Sequence, residues 1–225
     1  MVLIKMNDSE YIIAAEFLSY PDKTWVTTDF PNLHRPAVVR FFNGLIRKGI
    51  LKRNSTFGPS SRVSLIKPDL LLKLCINGFK KNESKLLNFT SKESGKEILI
   101  HLKNQEIEFY PGRLSGVRPE LIYSSDSTLS LLIPDRKLFW GKKLDFFQMD
   151  TGLFKVKFGG GIQIILPRFK IFLRRYAQKV RNILLPSDFY SYLSLTASSS
   201  PMAEPQIEYM QNKLKGQYGN FLAWK

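Results

Sequence analysis

Eight cations between residues 30 and 68 are the densest chemistry in this chain of 225 residues. Arg35, Arg40, Arg47, Lys48, Lys52, Arg53, Arg62 and Lys67 occur there without one aspartate or glutamate. A solvated surface usually mixes signs, so a one-signed stretch suits a polyanion whose phosphates lysine and arginine neutralise. A second run, Arg168, Lys170, Arg174, Arg175, Lys179 and Arg181, is also free of acids. It suits a longer nucleic-acid footprint, an acidic protein or a plain solvated helix face.

The other reactive groups form no comparable set. Two histidines, His34 and His101, and a single cysteine give no zinc-ligand spacing. Cys75 sits in the apolar run Leu70 to Ile76 and reads as a core thiol; a lone cysteine excludes an intramolecular disulfide and fits a reducing cytoplasm. Gly159-Gly160-Gly161 lacks the following Lys-Ser/Thr of a phosphate loop and reads as a hairpin turn. Pro68-Asp69 with Glu83-Ser84-Lys85 has the spacing of a divalent-metal nuclease, but Asp69 falls where a helix begins rather than where a core strand ends. Asp135, Asp145, Glu106 and Glu108 have no spacing that singles out a metal. No catalytic residue, metal or cofactor is expected.

The elements that must position the basic residues follow from local signals. A net charge of +15 and 44% hydrophobic residues describe a chain able to bury a core. The absence of a long apolar run or a secretory signal predicts a soluble, cytoplasmic protein without membrane contact. Asn7 and Glu10 form a capping box for a helix that ends near Pro21. Trp25 to Thr27 is extended, and Thr28 or Asp29 can cap a brief second helix toward Leu33. Pro36 and Gly49 bracket a helix over Arg35 to Lys48. Val38, Phe41, Phe42, Leu45 and Ile46 form its buried stripe. Arg40, Asn43, Gly44, Arg47 and Lys48 take the rest of its surface. Ile50 to Arg53 and Arg62 to Ile66 make a β-hairpin across a polar turn. A helix runs from Pro68 through Ile76, stopped by Asn77-Gly78, and Lys80 to Lys85 is a linker.

Further on, the pattern predicts hairpins of Glu97–Leu102 with Glu106–Tyr110, and of Leu153–Phe158 with Ile162–Leu166 across the three glycines. Leu129–Ile133 and Leu144–Gln148 are further strands, and Phe169–Leu185 is a helix. Residues 194–205 form an exposed connection, followed by a helix over Gln206–Lys215. The fold class is therefore α+β, with domains at 1–80 and 86–193 and a linker with a C-terminal helix or tail at 194–225.

The order helix, strand, helix, long helix, basic hairpin, helix resembles the winged helix-turn-helix superfamily. Pro36 to Arg53 carries the resemblance: Leu45, Gly49, Ile50, Leu51 and Arg53 fit a recognition helix ending in Leu-x-x-x-Gly-Ile/Leu-Leu/Ile-x-Arg. The resemblance implies double-stranded DNA as partner, with Arg35, Arg40, Asn43 and Arg47 near base edges or adjacent backbone and Lys48 beside them. Lys52, Arg53 and Arg62 in the wing would hold phosphates or enter the minor groove. A winged head before a larger α+β domain is similar in layout to AbiEi-type antitoxins of type IV toxin-antitoxin systems. That implies a regulator repressing its own promoter and a cognate toxin as partner. Apart from that resemblance, repeated half-sites in operators suit a homodimer, and the second domain is expected to dimerise, bind an effector or engage a partner protein. The alternatives are a plasmid or phage replication initiator on origin repeats, a metal-dependent nuclease, and a winged helix that contacts protein.

Overall fold

Asn7 starts the first helix, α1 (Asp8–Ser19), through the expected box: its side chain accepts from the Glu10 N–H at 3.1 Å, and the Glu10 carboxylate accepts from the Asn7 N–H at 2.8 Å. Two donors orphaned at the helix start are thereby satisfied. The computed structural model describes residues 6–54, 61–81, 85–113, 115, 128–139, 148, 153–156, 161–180, 183–198 and 203–218. The chain mixes α and β and divides into two compact units, residues 1–81 with 208–225 and residues 82–207. No helix among the described residues is long and apolar enough to cross a membrane.

In the first unit, β1 (Thr24–Trp25) pairs antiparallel with β3 (Val63–Leu65), and β3 pairs antiparallel with β2 (Leu51–Arg53), giving the order β1-β3-β2. The second helix expected toward Leu33 is only a 3-10 turn at Thr27–Asp29, held by the Asp29 carboxylate accepting from the Val26 N–H at 2.9 Å. The helix α2 (Arg35–Arg47) has Pro36 in its first turn, and Gly49 takes φ +65° just beyond it. That left-handed backbone would strain a residue carrying a Cβ. Val38, Phe41, Phe42 and Leu45 are buried, whereas Ile46 is only half-buried. Phe17 lies 5.4 Å from both Trp25 and Phe42, and Trp25 stacks on Phe30 at 5.4 Å, so one aromatic cluster fastens α1, β1 and α2 together.

The helix α3 (Pro68–Lys81) runs through Asn77-Gly78 instead of stopping there. Gly78 is a close-approach position: a Cβ would stand 2.9 Å from the Tyr11 hydroxyl of α1, which donates to the Cys75 carbonyl at 3.3 Å. The missing side chain admits the tyrosine and does not end the helix. Cys75 is completely buried.

The second unit is built on a five-stranded mixed sheet. Its strands are β4 (Lys85–Thr90), β5 (Tyr110–Pro111), β6 (Leu129–Leu132), β7 (Phe154–Val156) and β8 (Ile162–Leu166), in the order β5-β6-β8-β4-β7. Only the β6–β8 pair is parallel, with Leu129 opposite Ile162 and Leu132 opposite Ile165. Phe89, Leu131, Ile164, Ile98 and Leu102 belong to its buried cluster.

Several elements here differ from the sequence expectation. Glu97–Leu102 is not a strand but lies inside helix α4 (Gly95–Asn104), capped by Ser94, whose box partner is Glu97. The apolar run fits both periods, and the cap and the burial of Ile98, Leu99 and Leu102 decide for the helix. Strands flank the three glycines, but β7 and β8 do not pair; β4 lies between them, with Asn88 opposite both Val156 and Gln163. Phe169–Leu185 is not one helix: α5 (Lys170–Arg175) is followed by an antiparallel ribbon of β9 (Gln178–Val180) and β10 (Ile183–Leu185). Its apolar spacing holds only as far as Phe172 and Leu173, after which Gln178, Lys179 and Val180 are all exposed. The connection begins later than residue 194, because α6 (Asp188–Thr196), capped by Ser187, buries Ser194 and Leu195. The final helix, α7 (Glu204–Tyr218), starts two residues before the expected Gln206. The strand expected at Leu144–Gln148 falls almost wholly outside the described residues.

Candidate nucleic-acid interface

Helix periodicity sets Arg40, Asn43 and Arg47 on one outward face of α2, one turn apart. Arg35, Arg40, Arg47 and Lys48 are exposed and Asn43 is half-buried. In the hairpin, Lys52 and Arg62 are exposed, while Arg53 is half-buried. Strand pleating explains the difference: Arg53 shares a face with buried Leu51, and Lys52 takes the opposite one.

Arg53 crosses to the helix, where its Nη2 donates to Asn43 Oδ1 at 2.9 Å. Arg47 Nε donates to the Asn43 backbone carbonyl at 3.4 Å. The Arg53 bond joins helix and hairpin beside a groove of about 250 Å³, lined by Arg35, Val39, Phe42, Asn43, Ile46 and Arg53 with Thr27, Ser61 and Val63. Arg35 and Arg53 make part of the lining cationic, and Val39, Phe42, Ile46 and Val63 make part of it apolar. No family model, curated protein or solved structure matches the chain. Function therefore rests on this geometry and its charge.

Arg35, Asn43 and Arg53 meet at the groove, whereas Lys48 lies at the C-cap of α2 and Lys52 faces away from Arg53. The tip of the hairpin, residues 55–60, is outside the described residues. Val39, Thr27 and Ser61 line the groove without having been singled out in the sequence. Val39 carried a signal: it is a surplus apolar residue beside the buried stripe, and it is 39% exposed. Glu10 is the second omission. It belongs to α1 and so lies outside the acid-free stretch, yet its charge acts on Arg40. Burial raises the Glu10 carboxyl, and the Asn7 N–H and Arg40 pull it partly back.

The second basic run is not a uniform surface. Arg174 donates through Nε to Glu108 Oε1 at 2.8 Å and Oε2 at 3.2 Å, and through Nη2 to Oε2, in a fork-to-fork pair. The Tyr110 hydroxyl donates to the same carboxylate at 2.6 Å. These bonds, that from Arg174 foremost, hold Glu108 below the usual carboxylate range, and burial with the Glu108 bond pushes Tyr110 above its ordinary value. Arg168, Arg175 and Lys179 are exposed, and Arg175 lies over the Tyr176 ring at 5.8 Å.

The nuclease pattern is only half visible. Asp69 lies in the first turn of α3, while Glu83 and Ser84 are outside the described residues. Asp135 and Glu106 are exposed, and Asp145 is also outside the described residues. His34 is exposed before α2, and His101 of α4 pairs with Glu93 at 3.3 Å. No group of three metal-ligating side chains occurs among the described residues.

Proposed function

We propose that residues 1–81 form a winged helix-turn-helix head that binds double-stranded DNA, and that the protein is a transcriptional regulator. The observation carrying this reading is the Arg53–Asn43 bond. It ties the hairpin to the outward face of α2, so both present cations on one groove. The strand order β1-β3-β2 and the position of α2 immediately before the hairpin support it. A helix flanked by cations fits a major groove roughly 12 Å wide.

Selection of bound fragments from random genomic DNA at two salt concentrations tests the proposal. With about six phosphates neutralised at roughly 0.9 counterion each, the log-log slope of affinity on salt is expected near −5. A variant carrying Arg40→Ala and Arg47→Ala should bind more weakly with a shallower slope; unchanged affinity would remove α2 from the reading role. The AbiEi-type antitoxin is the narrower form of the proposal, and its tests are binding to the protein's own promoter and co-purification of a toxin.

The apolar wall of Val39 and Ile46 favours a second reading, a winged helix that docks protein. Partner binding insensitive to salt, with no DNA recovered, would distinguish it.

A further inference from the structure

We propose that Asn43 and Arg53 act as one donor-only reading unit that selects guanine over adenine at one position of the DNA site. This rests on the DNA-binding reading above and specifies what α2 recognises. An unconstrained asparagine in the major groove pairs with adenine through both amide atoms: Nδ2 donates to N7, and Oδ1 accepts from the N6 amino group. In this protein Oδ1 already accepts from Arg53 Nη2 at 2.9 Å. Because a guanidinium has no acceptor, the orientation of the amide follows from chemistry: the atom facing Arg53 is the oxygen, and the nitrogen is turned elsewhere. Among the described residues Asn43 Nδ2 donates to no protein atom.

An adenine placed against this pair would set its N6 donor toward an oxygen already shared with Arg53, with one lone pair left, and beside a cationic donor that disfavours a second donor there. Guanine presents N7 and O6, both acceptors, to the two N–H groups that Asn43 retains. Asn43 is also held in place. It is half-buried at the groove, and Arg40 and Arg47 lie one turn before and after it on the same face. The wing thus sets base preference without itself touching the base, by choosing which end of the Asn43 amide remains available. Arg53 is a positioning residue.

Selection of duplexes from a random library by the full-length protein, with Asn43→Asp and Arg53→Met alongside, tests this. The wild type is expected to enrich guanine at one position. Asn43→Asp keeps an oxygen for Arg53 but replaces the donor with an acceptor, so guanine enrichment there should fall about 10-fold while other positions hold. Arg53→Met releases Oδ1 and should move the same position toward adenine, a change that general weakening cannot imitate. If Asn43→Asp does not fold, as read by circular dichroism, the Arg53→Met selection decides alone. Unaltered base preference in the folded variants, or no guanine enrichment by the wild type, overturns the inference and leaves DNA binding standing. A wild type that binds no duplex at any salt concentration overturns both.

Discussion

A side-chain oxygen that accepts from an arginine carries the bias of that charge, and the same logic governs Glu108. Its carboxylate takes the Arg174 fork and the Tyr110 hydroxyl together, which lowers its proton affinity in the folded state. A carboxyl whose folded pKa lies below its unfolded value of about 4.3 contributes stability above that value. The contribution disappears as pH falls through the lower, folded value. The stability difference between wild type and Glu108→Gln, measured by urea unfolding, should therefore be present near neutrality and vanish in acid. A difference constant across that range would show that the carboxylate charge is not what the cluster uses. Glu108 was visible in the sequence only as one acid among several, because its partner lies 66 positions away.

At the scale of elements, Gly78 shows how one residue type carries opposite signals. A glycine near a helix end predicts a stop, but here it admits Tyr11 between α1 and α3. In an open helix, Gly→Ala gains roughly 0.5–1 kcal/mol. Gly78→Ala should instead cost about 1–3 kcal/mol by overpacking against the tyrosine hydroxyl. Placed in a Tyr11→Phe background the penalty should shrink, and the coupling is measurable as a double-mutant cycle in urea. Equal penalties in both backgrounds would show that the tyrosine hydroxyl is not the source, since the next atoms, those of Met6 at 3.6 Å, stand at ordinary contact distance. Elements with local punctuation were legible: α1 from its capping box, α2 from Pro36 and Gly49, and the β2–β3 hairpin from its polar turn. Elements were misread where one apolar run suits two periods, as at Glu97–Leu102, or where the pairing partner was remote, as for β7 and β8.

At the scale of the molecule, residues 208–218 of α7 belong to the same compact unit as the proposed DNA-binding head, although they lie far along the chain. Met210 and Leu214, one helical turn apart, are each 1% exposed. Leu214→Ala should cost about 2–5 kcal/mol, the usual price of emptying a core leucine site. Hydrogen exchange should report that loss at the amides of α1, α2 and α3. Protection lost only in the five-stranded sheet would assign α7 to the other unit. DNA binding is accordingly best measured on the whole chain.

The charge excess, the acid-free basic stretch and the bounds of α2 were settled by sequence alone, because caps, a left-handed glycine and a 3.6-residue period act over a few neighbouring residues. Tertiary structure decided which of those residues meet. It set Arg53 against the Asn43 oxygen, placed Glu10 where its charge reaches Arg40, and inserted β4 between β7 and β8. Each of these depends on how separate elements pack, and the second and third on segments distant in the chain, whose geometry is fixed only when strands register and helices pack.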